Sequence, residues 1–362
     1  MPLETPLLEL HRPSGATIGE YFGTLLPARF RDFVAEYSAL RESVGLVDTN
    51  FRGFFSFTGA DRQRYLNAML TSNVRDLKAG QGAVGLLLNP QGHILAEVEI
   101  FATEQSILAG SLAMIRERTF STFEKFIIMD DVTLEDVTDS TGTLDLVGPR
   151  TASVLTDLGV RDFANMPILS HEEVTVGQIP CRVVRRELAG DAAATLIVGR
   201  EHLPALWRGL GERVRSHGGT PAGMEALNSI RLECGIPWFG HDYDDKQIPH
   251  EAGVERSHIN YEKGCYTGQE IVERVRSRGH VNRRLTELRF LAAEAPAPGT
   301  KLLSGGNEIG SVTSSAFSPR LSQPIGLGYL RREHSAIGTR MDASGIPAEV
   351  IEPPLLAKKT SA

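Results

Sequence analysis

An octapeptide at positions 263 to 270, KGCYTGQE, holds one cysteine at the predicted start of a helix. Thr267 and Glu270 have the spacing of a capping box ahead of an apolar run, which predicts that the helix begins at Gly268. Cys265 then lies just upstream of free helix amides, with Lys263 on the same side of an extended chain. Both features favour the thiolate, the form that acts as nucleophile and metal ligand. The octapeptide alone leaves open a second interpretation, an inert cysteine packed beside an ordinary helix cap.

Potential metal ligands also cluster in a stretch that resembles a loop. They are His241, Asp242, Asp244, Asp245 and His250. The cluster has neither the helical two-histidine spacing of a zinc site nor the pattern of a calcium loop. We therefore predict a solvated or cap-forming acidic loop and no metal site.

The composition is that of a folded globular protein, with 41% hydrophobic and 23% charged residues among 362. The formal net charge of -7 argues against an extended nucleic-acid interface, which requires a basic face. The three cysteines are odd in number and far apart, so they fit neither a disulfide framework nor a cysteine zinc site. Neither a signal peptide nor an apolar membrane span is visible, which predicts a cytoplasmic protein with no membrane partner.

The hydrophobic periodicity predicts two α+β modules followed by a barrel. Helices are predicted at 29–44, directly after Asp61, and at 111–126, 149–158, 203–217 and 222–234. Strands are predicted at 53–58, 84–88 and 94–101, as a pair within 132–147, and within 174–198. After Gly279 the chain changes to short alternating runs interrupted by glycine and proline, which indicates a small antiparallel barrel.

The octapeptide resembles the signature of the YgfZ family, which are folate-binding relatives of the glycine-cleavage T protein, an aminomethyltransferase. The resemblance extends over most of the chain. It includes TGAD at 58–61, IRLECG at 230–235 with GHD at 240–242, and GSVTSS at 310–315 with Ser318 and Pro319.

This resemblance implies a three-domain cloverleaf of the T-protein type, with two α+β modules and a C-terminal antiparallel β-barrel around a tetrahydrofolate site. The boundaries that we predict are a discontinuous α+β domain of residues 1–51 and 141–280, an inserted ferredoxin-like domain of residues 52–140, and a barrel of residues 281–362. The resemblance also implies that Arg231 lies near the folate. A simple ion pair between Arg231 and Glu233 is the alternative that the residues themselves allow.

The departures from the T-protein pattern concern its catalytic carboxylate. T proteins carry paired aspartates where this chain has Ala96 and Glu97, and Ala96 cannot supply a carboxylate. Glu97 is one methylene longer and serves only if it reaches the reacting atoms. The folate-binding turn of T proteins is degraded here to LAGDAAAT at 188–195, whereas the cysteine of the octapeptide is an addition.

The leading functional prediction is a tetrahydrofolate-binding accessory protein of the YgfZ type that supports iron-sulfur cluster assembly or repair. Its partners would be folate and iron-sulfur client or assembly proteins. Cys265 would be the reactive thiol and Lys263 its activator. The candidate cofactor-binding residues are Asn89, Glu97, Arg231, Tyr266, Gln269 and Glu270.

The alternative is a folate-dependent aminomethyltransferase that uses Glu97 in place of the missing aspartate. A third hypothesis is the folate-binding domain of a demethylating oxidoreductase. It would need a separate flavin-binding subunit, because no flavin-binding segment is visible in the sequence.

Overall fold

The computed structural model describes residues 1–353, apart from the side chain of Arg278. Its strands are β1 (Leu3–Glu4), β2 (Thr17–Tyr21), β3 (Thr24–Arg29), β4 (Gly45–Asp48), β5 (Arg52–Thr58), β6 (Gly82–Leu88), β7 (Ile94–Ala102), β8 (Ile107–Leu112), β9 (Thr133–Asp136), β10 (Thr141–Val147), β11 (His171–Val176), β12 (Ile179–Leu188), β13 (Asp191–Gly199), β14 (Thr220–Pro221), β15 (Arg283–Phe290), β16 (Lys301–Ser304), β17 (Asn307–Ser318), β18 (Gln323–Arg331), β19 (Arg340–Asp342) and β20 (Pro347–Val350).

The α-helices are α1 (Leu8–His11), α2 (Phe33–Glu42), α3 (Arg62–Met69), α4 (Arg116–Lys125), α5 (Thr151–Asp157), α6 (Leu203–Ser216), α7 (Met224–Glu233), α8 (Pro249–Ala252), α9 (Glu255–His258) and α10 (Gln269–Arg278). Among residues 1–353, no helix has both the length and the apolar composition needed to cross a membrane.

The chain divides into two compact units. The first unit contains Met1–Leu87, Ala96–Leu227 and His258–Thr267, and the second contains Leu88–Leu95, Asn228–Ser257 and residues 268–353.

Three sheets form the framework of the first unit. Their strand orders are β1-β3-β2, β11-β12-β13-β10-β4-β14 and β6-β7-β8-β5-β9. A core of aliphatic side chains from the six-stranded sheet and from α5 and α6 includes Leu46, Leu144, Val154, Leu196 and Leu206. A smaller apolar cluster of Phe54, Phe101, Val184 and Ile197 joins side chains of the five- and six-stranded sheets. Burial on this scale is what makes the positions of strand residues in both sheets well defined.

Strand β7 alternates between a buried and a half-buried face over its first seven residues. Ile94, Ala96, Val98 and Ile100 are fully buried. Since successive strand side chains point to opposite faces, the intervening acidic residues share the other face. This alternation is the local feature that positions the candidate site.

The second unit contains a closed six-stranded barrel, in the order β15-β18-β17-β16-β19-β20. Leu288, Phe290, Leu302, Ile309 and Leu330 are buried in its core. Closure of the barrel pairs the two edge strands that an open sheet would expose. The barrel predicted after Gly279 is therefore present.

Two predicted elements differ from the structure for reasons of pairing. The predicted helix at 111–126 is wrong at its start, because Ser111 and Leu112 end β8, which pairs with β5, and α4 begins only at Arg116. The alternating stretch 132–147 contains two strands, as predicted, but they do not pair with each other. Strand β9 pairs with β5, whereas β10 pairs with β4 and β13 of another sheet.

The buried histidine His171 begins β11 and is held by neighbours in the first unit. Arg182 donates to its Nδ1 over 2.7 Å, its Nε2 lies 3.3 Å from the carbonyl oxygen of Gln81, and its ring contacts Phe101 edge-to-face. Burial, reinforced by the Arg182 charge, lowers the pKa of His171 to about 4. The folded protein therefore holds a neutral imidazole at this position.

This neutral histidine predicts acid-sensitive stability. Because the pKa falls from 6.5 on folding to about 4, the stabilisation is fully present above pH 6.5 and is lost as the pH falls toward 4. Urea unfolding at pH 7 and pH 5 should show that His171 accounts for a loss of about 1 to 2 kcal/mol, allowing for solvent screening. His171→Gln should lack this part of the loss, whereas His202→Gln, at a histidine whose side chain is 44% exposed, should retain it. Equal pH dependence in wild type and His171→Gln would contradict the assignment.

Candidate active site

Two acidic side chains of the half-buried face of β7 form the starting point of the candidate site. Glu97 and Glu99 alternate with the buried Ala96 and Val98, so they point to the same side of the strand. The carboxylate that the sequence lacks at position 96 would face the core, while Glu97 and Glu99 face away from it.

Glu97 forms a carboxylate–imidazole pair with His258, the last residue of α9. The Glu97 Oε2 atom lies 3.2 Å from His258 Nε2, and the two side chains are 30% and 14% exposed. The backbone carbonyl of Glu97 accepts a 2.9 Å hydrogen bond from Ser111 Oγ on β8, which fixes the strand at this position. A partly exposed carboxylate held beside an imidazole is placed to exchange a proton with a reacting group.

Glu99 forms a bidentate ion pair with Arg186 of β12. Arg186 Nη1 and Nη2 donate to Oε1 and Oε2, the second over 2.7 Å, and Arg186 Nε donates to Thr195 Oγ1 over 3.2 Å. Burial opposes the ionisation of both groups, but their mutual attraction is stronger. The net effect lowers the pKa of Glu99 and raises the pKa of Arg186, so the pair stays charged.

A third ion pair extends the same charged region. Arg52 of β5 donates from Nη1 and Nη2 to the two carboxylate oxygens of Asp145 of β10, each over 3.2 Å. The charge of Arg52 also acts on Glu99, and that of Asp145 acts on Arg186. We call this set the charged cluster; it consists of Arg52, Glu97, Glu99, Asp145, Arg186 and His258.

Lys263 is buried, and its amino group donates to the backbone carbonyls of Asn67 and Leu70. The ammonium also lies 5.1 Å from the centre of the Tyr266 ring. Burial, with the charge of Arg75, lowers the pKa of Lys263 to about 8. Its amino group thus donates to carbonyls at the C-terminal end of α3. Activation of Cys265 by Lys263 stays a prediction.

Cys265 and Tyr266 lie in the same segment but in different environments. The Cys265 thiol side chain is exposed, whereas Tyr266 is 7% exposed. Cys265 is therefore open to reagents, and its predicted role as a catalytic thiol stays a prediction, as does folate binding by Tyr266.

The remaining candidates of the octapeptide, Gln269 and Glu270, lie in the first turn of α10, where Gln269 is half-buried and Glu270 is exposed. The helix begins one residue after the predicted start. Gly268 is its N-cap at φ +83°, and no side chain caps the helix, so the predicted Thr267–Glu270 capping box is not formed. A side chain at 268 would also come within 2.6 Å of the Asn89 carbonyl oxygen, which explains the glycine. Folate contacts by Gln269 and Glu270 stay predictions.

Asn89 shapes the loop between β6 and β7. Its Oδ1 accepts hydrogen bonds from the backbone amides of Gln91 and His93, each over 2.9 Å. This is the turn-forming use of an asparagine side chain. A further role of Asn89 in cofactor binding stays a prediction.

Arg231 is 2% exposed in the second unit and has several partners there. Its Nη1 lies 2.5 Å from Asp242 Oδ2, its Nε donates to Asn228 Oδ1, and its guanidinium lies 4.5 Å from the Trp238 ring centre. The ion pair is thus made with Asp242 and not with Glu233, which accepts from Ser318 Oγ over 2.5 Å. Proximity of Arg231 to folate stays a prediction.

Among residues 1–353, no group of three or more His, Cys, Asp or Glu side chains has an arrangement that could hold a metal ion. In the predicted acidic loop, Asp242 is committed to Arg231 and to Thr313 Oγ1, which donates over 2.6 Å.

Sequence reasoning missed Glu99, Arg186 and His258. Glu99 had a detectable signal, because a second acidic residue at alternate spacing in an apolar strand shares the face of the first. His258 and Arg186 had none, since each meets its partner only through long-range folding.

The chain is similar to two known domain families and to several known proteins. Residues 7–260 match the GCVT N-terminal domain, and residues 283–356 match the glycine cleavage T-protein C-terminal barrel domain. An aminomethyltransferase from Saccharopolyspora erythraea is 27% identical over 359 residues, which cover 98% of each chain. Another from Halalkalibacterium halodurans is 28% identical over 341 residues, covering 93% of this chain and 92% of the relative.

A solved structure supports the fold. The glycine cleavage system aminomethyltransferase T from Bartonella henselae superimposes with a TM-score of 0.86 at 23% identity, covering 98% of both chains. The predicted fold class, two α+β modules and a C-terminal antiparallel β-barrel, is therefore confirmed.

The leading functional prediction, an accessory protein for iron-sulfur cluster assembly or repair, is contradicted by these relatives. They match nearly the full length of the chain and are named aminomethyltransferases. The prediction failed because it gave most weight to eight residues around Cys265, whereas the similarity extends through both domain families.

Proposed function

This chain belongs to the glycine-cleavage T-protein family, and we propose that it is a folate-dependent aminomethyltransferase. In the proposed reaction an aminomethylated thiol and tetrahydrofolate give methylenetetrahydrofolate, ammonia and the free thiol. The two matching domain families confirm the kinship with the T protein that the sequence predicted. Membership in the YgfZ branch is a finer prediction, supported only by the octapeptide.

The observation that carries the proposal is the Glu97–His258 pair on the accessible face of β7. The resemblance places a T-protein aspartate pair at positions 96 and 97, and only position 97 keeps an acidic residue. That residue is 30% exposed and has an imidazole neighbour that can orient it for proton transfer. Glu97 is therefore the group that accepts the proton released when the new carbon–nitrogen bond forms.

Tetrahydrofolate is the cofactor of the family, so the predicted cofactor is confirmed at that level. When bound, it supplies the nitrogen atoms that accept the one-carbon unit. The charged cluster offers both hydrogen-bond donors and acceptors. These suit the pterin ring of tetrahydrofolate, whose edge also carries N–H donors and acceptors. Glu97 offers a partly exposed acceptor, and Arg186, fixed by Glu99, offers a rigid planar donor.

The experiment is a single incubation of the purified protein with tetrahydrofolate and aminomethylated lipoyl carrier protein. We expect release of ammonia and methylenetetrahydrofolate in equal amounts, dependent on both substrates. The same incubation without tetrahydrofolate is the control, since the aminomethyl group alone releases ammonia slowly. Ammonia release that is no faster with protein and tetrahydrofolate than without them would refute the proposal.

A further inference from the structure

The segment that carries His258 is fastened to the C-terminal end of α3. A helix leaves its last carbonyls without partners inside the helix. Here the Lys263 ammonium donates to the carbonyls of Asn67 and Leu70. The backbone amide of Thr267 donates to the Ala68 carbonyl over 3.3 Å. A cation is also the favourable charge at this end of the helix dipole. Three carbonyls at the end of one helix therefore fix residues 263 to 267.

A second set of contacts continues this attachment to His258. Thr71 Oγ1 donates to the His258 carbonyl over 2.6 Å and accepts from the Leu86 amide of β6 over 2.7 Å. The Asn260 amide donates to the Thr71 carbonyl over 2.9 Å, and Asn260 Oδ1 accepts from the Lys263 amide over 3.0 Å. The backbone on both sides of residue 259 is thus tied to the rim of the five-stranded sheet.

Strands β7 and β12 contribute charged groups that lie near the His258 imidazole. Glu97 is its direct partner, and Glu99 interacts with it at longer range. Arg186 offsets the charge of Glu99 and also interacts with Glu97. Because Glu99 is neutralised by its own partner, Glu97 is the carboxylate to which His258 responds most strongly.

We propose that His258 is a positioning residue that fixes the Glu97 carboxylate for proton transfer, and that Lys263 and Thr71 hold His258 in place. This inference rests on the proposed function for its catalytic meaning. The Lys263–His258 attachment itself is a property of the folded chain.

The first arm of the test follows the imidazole resonances of His258 by NMR titration and needs no substrate. Wild-type His258 should titrate at higher pH than His258 in Glu97→Gln, by roughly one pH unit, because the carboxylate stabilises the imidazolium. Lys263→Met and Thr71→Val should each move the titration part of the way toward that of Glu97→Gln. Lys78→Met, at an exposed lysine of the same unit, should leave it unchanged. Thr71→Val is the safeguard if Lys263→Met fails to fold.

The second arm measures kinetics. His258→Gln should lower kcat roughly tenfold while KM for tetrahydrofolate stays within about twofold, since the lost contact orients a proton acceptor and does not bind substrate. The pH–rate profile of Lys263→Met or Thr71→Val should shift in the same direction as that of His258→Gln.

The two arms separate the two ideas. A His258 titration that is indifferent to Glu97→Gln, or to both Lys263→Met and Thr71→Val, overturns the positioning inference even if wild type catalyses transfer. A wild type without transfer activity overturns the proposed function, while the titration still decides whether Lys263 and Thr71 position His258.

Discussion

Replacement of Glu97 by glutamine is expected to lower kcat for tetrahydrofolate-dependent ammonia release by about 10² to 10³-fold. Glutamine has nearly the same shape and keeps an oxygen that accepts a hydrogen bond, but it cannot take up a proton. Positioned acid–base groups contribute on this scale. The dissociation constant for tetrahydrofolate, measured by isothermal titration calorimetry, should change by no more than about threefold, which places the loss in chemistry and not in binding.

The matched control is Glu135→Gln, at an exposed glutamate of β9 in the same sheet. It should leave kcat, KM and the melting temperature unchanged, because surface substitutions of this kind have small effects. If Glu97→Gln retained wild-type kcat, the proton would have another acceptor and Glu97 would lose its assigned role. A fall in binding equal to the fall in kcat/KM would point instead to a purely binding role.

Sequence reasoning could find the strand that carries the site because β7 is locally self-consistent. Its buried residues alternate over seven positions, and an asparagine- and glycine-containing turn comes directly before the strand. Both signals are contained in adjacent residues. The same is true of the barrel strands, whose short alternating runs are separated by glycine and proline.

The rest of the site could not be predicted because it depends on contacts between distant residues. Glu99 and Arg186 are separated by 87 positions, and the Lys263 amino group meets carbonyls 193 and 196 positions away. Lys263 illustrates this dependence most clearly. Local sequence suggested an activator of Cys265, whereas the fold offers its ammonium a helix end whose carbonyls need donors. The predicted capping box at Thr267 is not formed, because Gly268 takes the N-cap position.

Replacement of Arg231 by methionine is expected to destabilise the second unit by about 3 to 5 kcal/mol, the usual result of removing one member of a buried ion pair. Asp242 has no exposed side-chain surface and would keep the Trp238 amide and the Thr313 hydroxyl as donors. Glu287 lies close by, with both carboxyl oxygens buried and without a hydrogen-bond partner in residues 1–353. Burial, only partly offset by Arg231, raises the pKa of Glu287 well above its usual range. Loss of Arg231 therefore removes the cation that pairs with Asp242 and acts on Glu287.

The measurement uses the two tryptophans, one in each unit. In a Trp207→Phe background, urea unfolding followed by fluorescence reports on Trp238, which lies beside Arg231. The double variant Arg231→Met/Asp242→Asn should recover part of the lost stability, since replacing both partners removes the unpaired charge. Arg289→Met is the control, because its partly exposed pair with Glu349 should contribute at most about 1 kcal/mol. If Arg231→Met cost no more than Arg289→Met, the buried pair would not organise this unit. The burial of Arg231 would then be better explained by contacts to a ligand. The affinity of Arg231→Met for tetrahydrofolate would decide that question.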